Sequence, residues 1–77
     1  MHEKIKEFIV KDLLVNKSVS VDYDTSLILS GLIDSFAILD IMQFINDTLG
    51  VKISEDKVKR SDFDTINIIV KTIGRFK

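Results

Sequence analysis

The chain has no cysteine, no proline and no tryptophan, and only three glycines in 77 residues. Without cysteine there is neither a disulfide framework nor a thiolate metal site, so an apolar core must hold the fold together. Any thiol chemistry must therefore come from an attached group. Without proline, a low-complexity tract or an internal repeat, nothing marks a linker, and residues 1–77 read as a single domain. Charge of one sign is scarce as well. Eleven Lys and Arg stand against 12 Asp and Glu, for a net charge of −1. That balance argues against nucleic acid as the main partner. No apolar run approaches the ~18 residues that a membrane span needs. The stretch from Met1 to Lys11, interrupted by Glu3, Lys4, Lys6 and Glu7, lacks the apolar segment of a signal peptide. The expectation is a cytoplasmic protein with no membrane span.

What the chain does have is apolar content at helical spacing, 45% of its residues being hydrophobic. A first helix is expected over Glu3 to Val15, with Ile5, Phe8, Ile9 and Leu13 on one side. A long segment from Asn16 to Asp34 follows. In it Val19, Val21 and Tyr23 alternate with Ser20 and Asp22, but a lone strand has nothing to pair with, so an extended, partly packed loop is expected. Asp24, Thr25 and Ser26 offer N-caps for a short turn through Leu27 and Leu29, and Gly31 can take the positive φ that reverses it. The second helix is expected from Ser35 to Leu49, ending at Gly50. Val51-Lys52-Ile53 reads as a connector, and Ser54 as the cap of a brief turn through Glu55, Asp56 and Val58. Ser61 or Asp64 should open the last helix, whose stripe is Ile66, Ile69, Val70, Ile73 and Phe76. The expected fold is all-α, a monomeric four-helix bundle with a long first loop and a short third helix.

The stretch that carries chemistry is Gly31-Leu32-Ile33-Asp34-Ser35-Phe36. Asp34 can cap the second helix and put Ser35 in its first turn. A phosphate ester on that serine would meet free N–H groups and the positive end of the helix dipole. The Asp34 carboxylate would oppose it unless a divalent cation bridges the two during attachment. The plain alternative is that Asp34 and Ser35 only cap a helix, which is what this dipeptide before an apolar run usually means. At about 100° per residue, Ile38, Ile41, Met42, Ile45 and Leu49 fall on one side of the second helix, as core. Phe36, Asp40, Gln43, Phe44 and Asp47 fall on the other, and aromatics grouped with carboxylates suggest a contact surface. Phe44 has a second possible place, tucked under the long loop.

These residues resemble the acyl carrier proteins and the related peptidyl and D-alanyl carrier domains. The likeness extends over nearly the whole chain: its length, the helix order, Leu27 and Gly31 before the motif, Asp34-Ser35 itself, and the Gly50-Val51-Lys52-Ile53 connector. It implies a bundle of acyl-carrier type in which Ser35 accepts 4′-phosphopantetheine from coenzyme A and carries acyl or aminoacyl groups as thioesters. It implies that Asp34 helps hold the magnesium ion used by the phosphopantetheinyl transferase. By the same likeness, Phe36, Asp40, Gln43, Phe44 and Asp47 form a recognition face for partner enzymes: an acyl-loading ligase or acyltransferase and the acyl-processing enzymes that follow. Carriers of fatty acid synthesis usually have Asp-Ser-Leu and a second helix dense in Glu. This one has Asp-Ser-Phe, only Asp40 and Asp47 as acids, and Ala37 where an acid is common. The resemblance thus points to a specialised pathway.

An enzyme is not expected. A nucleophilic Ser35 would need a base within hydrogen-bond reach. The only histidine, His2, stands at a terminus expected to fray, and His2 with Glu3 falls short of a metal ligand set. Lys57, Lys59 and Arg60 form a small basic cluster, read as a solvated face with partner contact as the alternative. Leu39, Ile53 and Ile66 are candidates to line an interior that shelters an acyl chain. A different class of function also fits: an unmodified helical interaction module that binds a partner through Phe36 and Phe44.

Overall fold

The computed structural model describes residues 1–16 and 18–77. Helix α1, His2–Phe8, runs on without a break into one wide π-helical turn, Ile9–Leu13. Ile5 and Ile9 of its apolar stripe are buried, as the spacing predicts. The wide turn closes with the Leu14 N–H donating to the Ile9 carbonyl, 3.0 Å away. Leu14 is buried in the core with Leu13 half-buried against it, and the helix ends two residues before the expected Val15.

The long segment after α1 is loop and turn among its described residues, with no strand. It is nevertheless tied down at several points. The Asp22 carboxylate accepts from the Asp24 N–H at 2.8 Å and from the Thr25 hydroxyl at 3.0 Å, and these bonds hold its carboxyl below the usual range. Val21, Leu27, Ile28 and Ile33 are buried in the core. The turn after Leu27 reverses at Gly31, whose φ of 80° is open to glycine and strained for other residues.

Helix α2, Ala37–Leu49, buries Ala37, Ile41 and Ile45. It stops at Gly50, which is left-handed at φ 68° and whose N–H donates to the Asn46 carbonyl at 3.1 Å. Beyond Val51 and Ile53, both buried, come two 3₁₀ turns, Glu55–Lys57 and Arg60–Phe63. Helix α3, Ile66–Phe76, then packs against α1 with Ile66, Ile69 and Ile73 buried and Val70 and Phe76 half-buried. The fold is all-helical, with three helices among the described residues. The short third helix of the expected bundle is present only as the two 3₁₀ turns, too short to add a fourth. No helix among the described residues is long and apolar enough to cross a membrane.

The start of α3 corrects the sequence reading. Neither Ser61 nor Asp64 caps it. Thr65 does, its hydroxyl accepting from the Ile68 N–H at 3.0 Å. Asp64 has another task. It is buried, and its Oδ1 accepts from the Ile28 and Leu29 N–H groups, both at 2.9 Å. Its carboxylate also takes the Ser26 hydroxyl, at 2.9 Å to Oδ2, and its backbone carbonyl takes the Leu27 N–H at 2.6 Å. Residue 64 is thus the clip that holds the loop before α2 to the loop before α3. Burial pushes its carboxyl up, but the bonds from Leu29, Ser26 and Ile28 outweigh burial, and it titrates below the usual carboxylate range. The N–H groups of the Leu27 turn are therefore taken by Asp64, far along the chain, rather than by Asp24, Thr25 or Ser26 as expected: Asp24 accepts from Asn67, Thr25 donates to Asp22 and Ser26 donates to Asp64.

Candidate functional site

Ser35 lies in a tight turn that leads into α2. The Asp34 carboxylate accepts from the Ala37 N–H at 3.1 Å, and the Ile38 and Leu39 N–H groups reach back to the Ser35 and Phe36 carbonyls at 3.3 and 3.1 Å. Asp34 therefore caps the turn that leads into α2 rather than α2 itself: the regular helix begins at Ala37, its N-cap position is Phe36 without a side-chain cap, and Ser35 precedes the first helical turn in which it was expected. The turn is tightened because three successive N–H groups, those of Ala37, Ile38 and Leu39, bond three residues back instead of four. Both Asp34 and Ser35 are exposed.

A cleft of about 340 Å³ opens beside Ser35. One wall is the start of α2, with Ser35, Phe36, Ile38, Leu39 and Met42. The other comes from the 3₁₀ region, with Glu55, Val58, Lys59, Arg60 and Phe63. Leu39 and Met42 also line a second hollow of about 270 Å³, which continues toward Lys52 and Ile53. A trough thus runs from Ser35 along the side of α2, apolar at the Ser35 end and bordered beyond Met42 by Gln43, Asn46 and Lys52 as well as Ile53. Of the three residues expected to line an interior, Leu39 borders both hollows and Ile53 borders the second. Ile66 borders neither; it is fully buried against the core.

The outer side of α2 carries Phe36, Asp40, Gln43 and Asp47, all exposed, with the Gln43 amide donating to Asp47 at 2.9 Å. Phe36 is 79% exposed. Phe44 departs from this set. It is half-buried, its ring stacked on Phe8 of α1 with centroids 4.3 Å apart. It does not lie on the open face, because Phe8 at the end of α1 covers it and offers an aromatic partner.

Two residues of this region escaped the sequence reading. Phe63 is fully buried at the base of the cleft, the bulkiest of the fully buried side chains. Its spacing from Ile66, Val70 and Ile73 follows the stripe of α3, a signal that a boundary drawn at Ser61 or Asp64 obscures. Asp64 gave no such signal, since its partners lie 35 to 38 residues away. His2 also differs from expectation. It is half-buried, its Nε2 lies 3.1 Å from the Asn67 Oδ1, and its ring meets Tyr23 at 4.9 Å. It does not line the Ser35 cleft, whose walls hold no histidine.

No protein-family model matches the chain, and no curated protein matches its sequence.

Proposed function

We propose that this chain is a carrier protein that holds acyl or aminoacyl groups as thioesters on a 4′-phosphopantetheine arm attached to Ser35. The observation that carries the reading is the setting of Ser35. An exposed serine hydroxyl in the capped turn at the positive end of α2 opens directly onto an apolar cleft. The Ala37, Ile38 and Leu39 N–H groups are already bonded rather than free as expected, so it is the positive end of the α2 dipole that favours a phosphate ester here, and the cleft beside it suits an apolar arm or cargo. The all-helical fold with a long ordered loop agrees with a bundle of acyl-carrier type whose third helix is reduced to 3₁₀ turns.

In this reading the protein supplies an address and a shelter, and the thiol of the arm supplies the chemistry. Asp34 is fixed by its bond to the Ala37 N–H, next to the hydroxyl to be modified, where it can share a magnesium ion with the incoming phosphate. Phe36, Asp40, Gln43 and Asp47 then face the transferase, the loading enzyme and the enzymes that consume the cargo. With two carboxylates and an exposed phenylalanine on this side, recognition leans on apolar contact, which favours a few dedicated partners of a specialised pathway.

The test is incubation with coenzyme A, magnesium and a broad-specificity phosphopantetheinyl transferase, followed by intact-mass measurement. One phosphopantetheine should be added, and Ser35→Ala should take up none. Addition to Ser35→Ala, or none to the wild type, removes the assignment. In the second case the exposed Phe36 and the half-exposed Leu39 favour an unmodified interaction module.

A further inference from the structure

Between Lys17 and Lys52 the chain contains no lysine or arginine, while Asp22, Asp24, Asp34, Asp40 and Asp47 fall within it. Ser35 sits in the middle of this acid-only stretch, directly after Asp34. An anion attached to Ser35 finds no cationic side chain anywhere from Ser18 to the end of α2. The fold supplies two from elsewhere. Lys59 and Arg60, at the start of the second 3₁₀ turn, stand on the wall of the cleft opposite Ser35.

Both cations are exposed and in no ion pair among the described residues, where the pairs are Lys11 with Glu7 and Arg75 with Asp62. Asp62, the acid nearest to them in sequence, is already engaged. One of its oxygens accepts the Lys59 backbone N–H at 2.9 Å, and the other lies 3.5 Å from the Arg75 guanidinium. That first bond also fixes the backbone from which Lys59 and Arg60 project. The remaining charged residue on the cleft wall is Glu55. Two positive charges against one negative leave the walls with a net charge of +1, which equals in size the single negative charge of a phosphodiester.

We propose that Lys59 and Arg60 form an anion-binding subsite for the phosphodiester that joins the arm to Ser35. The inference rests on the carrier reading above and adds to it a place where the root of the arm is held. The anion is tethered within the same small cleft, so its effective concentration at the two cations is high without any affinity in free solution. Apolar walls on one side weaken solvent screening, and Arg60 can offer a planar fork of donors where Lys59 offers a point charge. Held in this way, the arm leaves Ser35 across the apolar trough of Phe36, Leu39 and Met42 rather than straight into solvent.

The experiment uses the full chain carrying phosphopantetheine with a free thiol, its loading verified by intact mass. The phosphorus NMR resonance of the arm is followed from low to high salt in the wild type and in Lys59→Gln/Arg60→Gln, with circular dichroism confirming the fold of both. The expected result is a salt-dependent shift in the wild type that is lost in the double variant. The Arg60 side-chain N–H signal should move on passing from the unmodified to the modified protein. Butyryl-loaded and succinyl-loaded forms identify the anion. A response already complete in the free-thiol form supports the phosphodiester, whereas one that appears only with the succinyl carboxylate assigns the cations to cargo and overturns the proposal. A wild-type resonance indifferent to salt and equal to that of the double variant also overturns it. Failure of the wild type to accept the arm at all would instead overturn the carrier reading, and intact mass tells the two apart.

Discussion

Asp64 offers the sharpest test of how this fold is held. Its carboxylate is the acceptor for the Ile28 and Leu29 N–H groups and for the Ser26 hydroxyl. Replacing it with alanine strands those donors. Ile28 is buried, and an unsatisfied buried N–H costs about 1–3 kcal/mol, so about 2 kcal/mol is expected from that group. Leu29 is exposed, and water can reach its amide, which puts its share near the lower end, about 1 kcal/mol. The Ser26 hydroxyl can turn to solvent at little cost. Asp64→Ala should therefore lose about 3 kcal/mol. Asp64→Asn keeps an oxygen for both N–H groups and loses only the charge assistance, for a cost of about 1–2 kcal/mol. Urea unfolding followed by far-UV circular dichroism measures both, which suits a chain without tryptophan.

The same residue predicts the response to acid. Its carboxyl titrates lower in the folded protein than the ordinary value, so over the interval between the two the unfolded chain binds more protons. The contribution is complete above the unfolded value of about 3.9 and disappears as pH falls through the lower folded one. Asp64→Asn should flatten the acid limb of stability and leave the neutral limb parallel to wild type. An alanine variant within about 0.5 kcal/mol of wild type would refute the clip, since that is the ordinary range of a surface substitution. An asparagine variant as damaged as alanine would refute the partition between bond and charge.

Ile45→Ala and Ile69→Ala each remove a fully buried aliphatic side chain and should cost about 2–5 kcal/mol in the same unfolding assay. Gly50→Ala meets no atom within 4 Å, so its cost of about 1–2 kcal/mol comes from the left-handed backbone alone, and thermal unfolding should register it. Asp40→Lys and Asp47→Lys alter exposed residues and should keep the fold; under the proposed carrier function they should also slow transfer to partner enzymes in a salt-dependent way. Unchanged transfer rates at low salt would put recognition on another surface.

The local grammar of this protein is legible along the chain. Helical periodicity located all three helices, because apolar residues at three- and four-residue spacing have few other ways to leave water. Gly50 marked the end of α2, and Gly31 the reversal before it, because both turns need positive φ. Asp34 was legible as the cap beside Ser35, since a cap acts on a neighbour three residues away. The rest emerges on folding, and each case involves partners distant in sequence. Asp64 looked like a helix start until it met the 26–29 loop. Phe44 looked exposed on the isolated helix until Phe8 covered it. The region between α2 and α3 became two 3₁₀ turns, with Phe63 buried beneath the cleft and Asp62 held by Arg75 from α3. Lys59 and Arg60 read as a solvated face along the chain, and folding set them across the cleft from Ser35. Spacing along one element reports which side of it is apolar. Which other element covers that side, and which charges stand opposite, depends on contacts that only the folded chain creates.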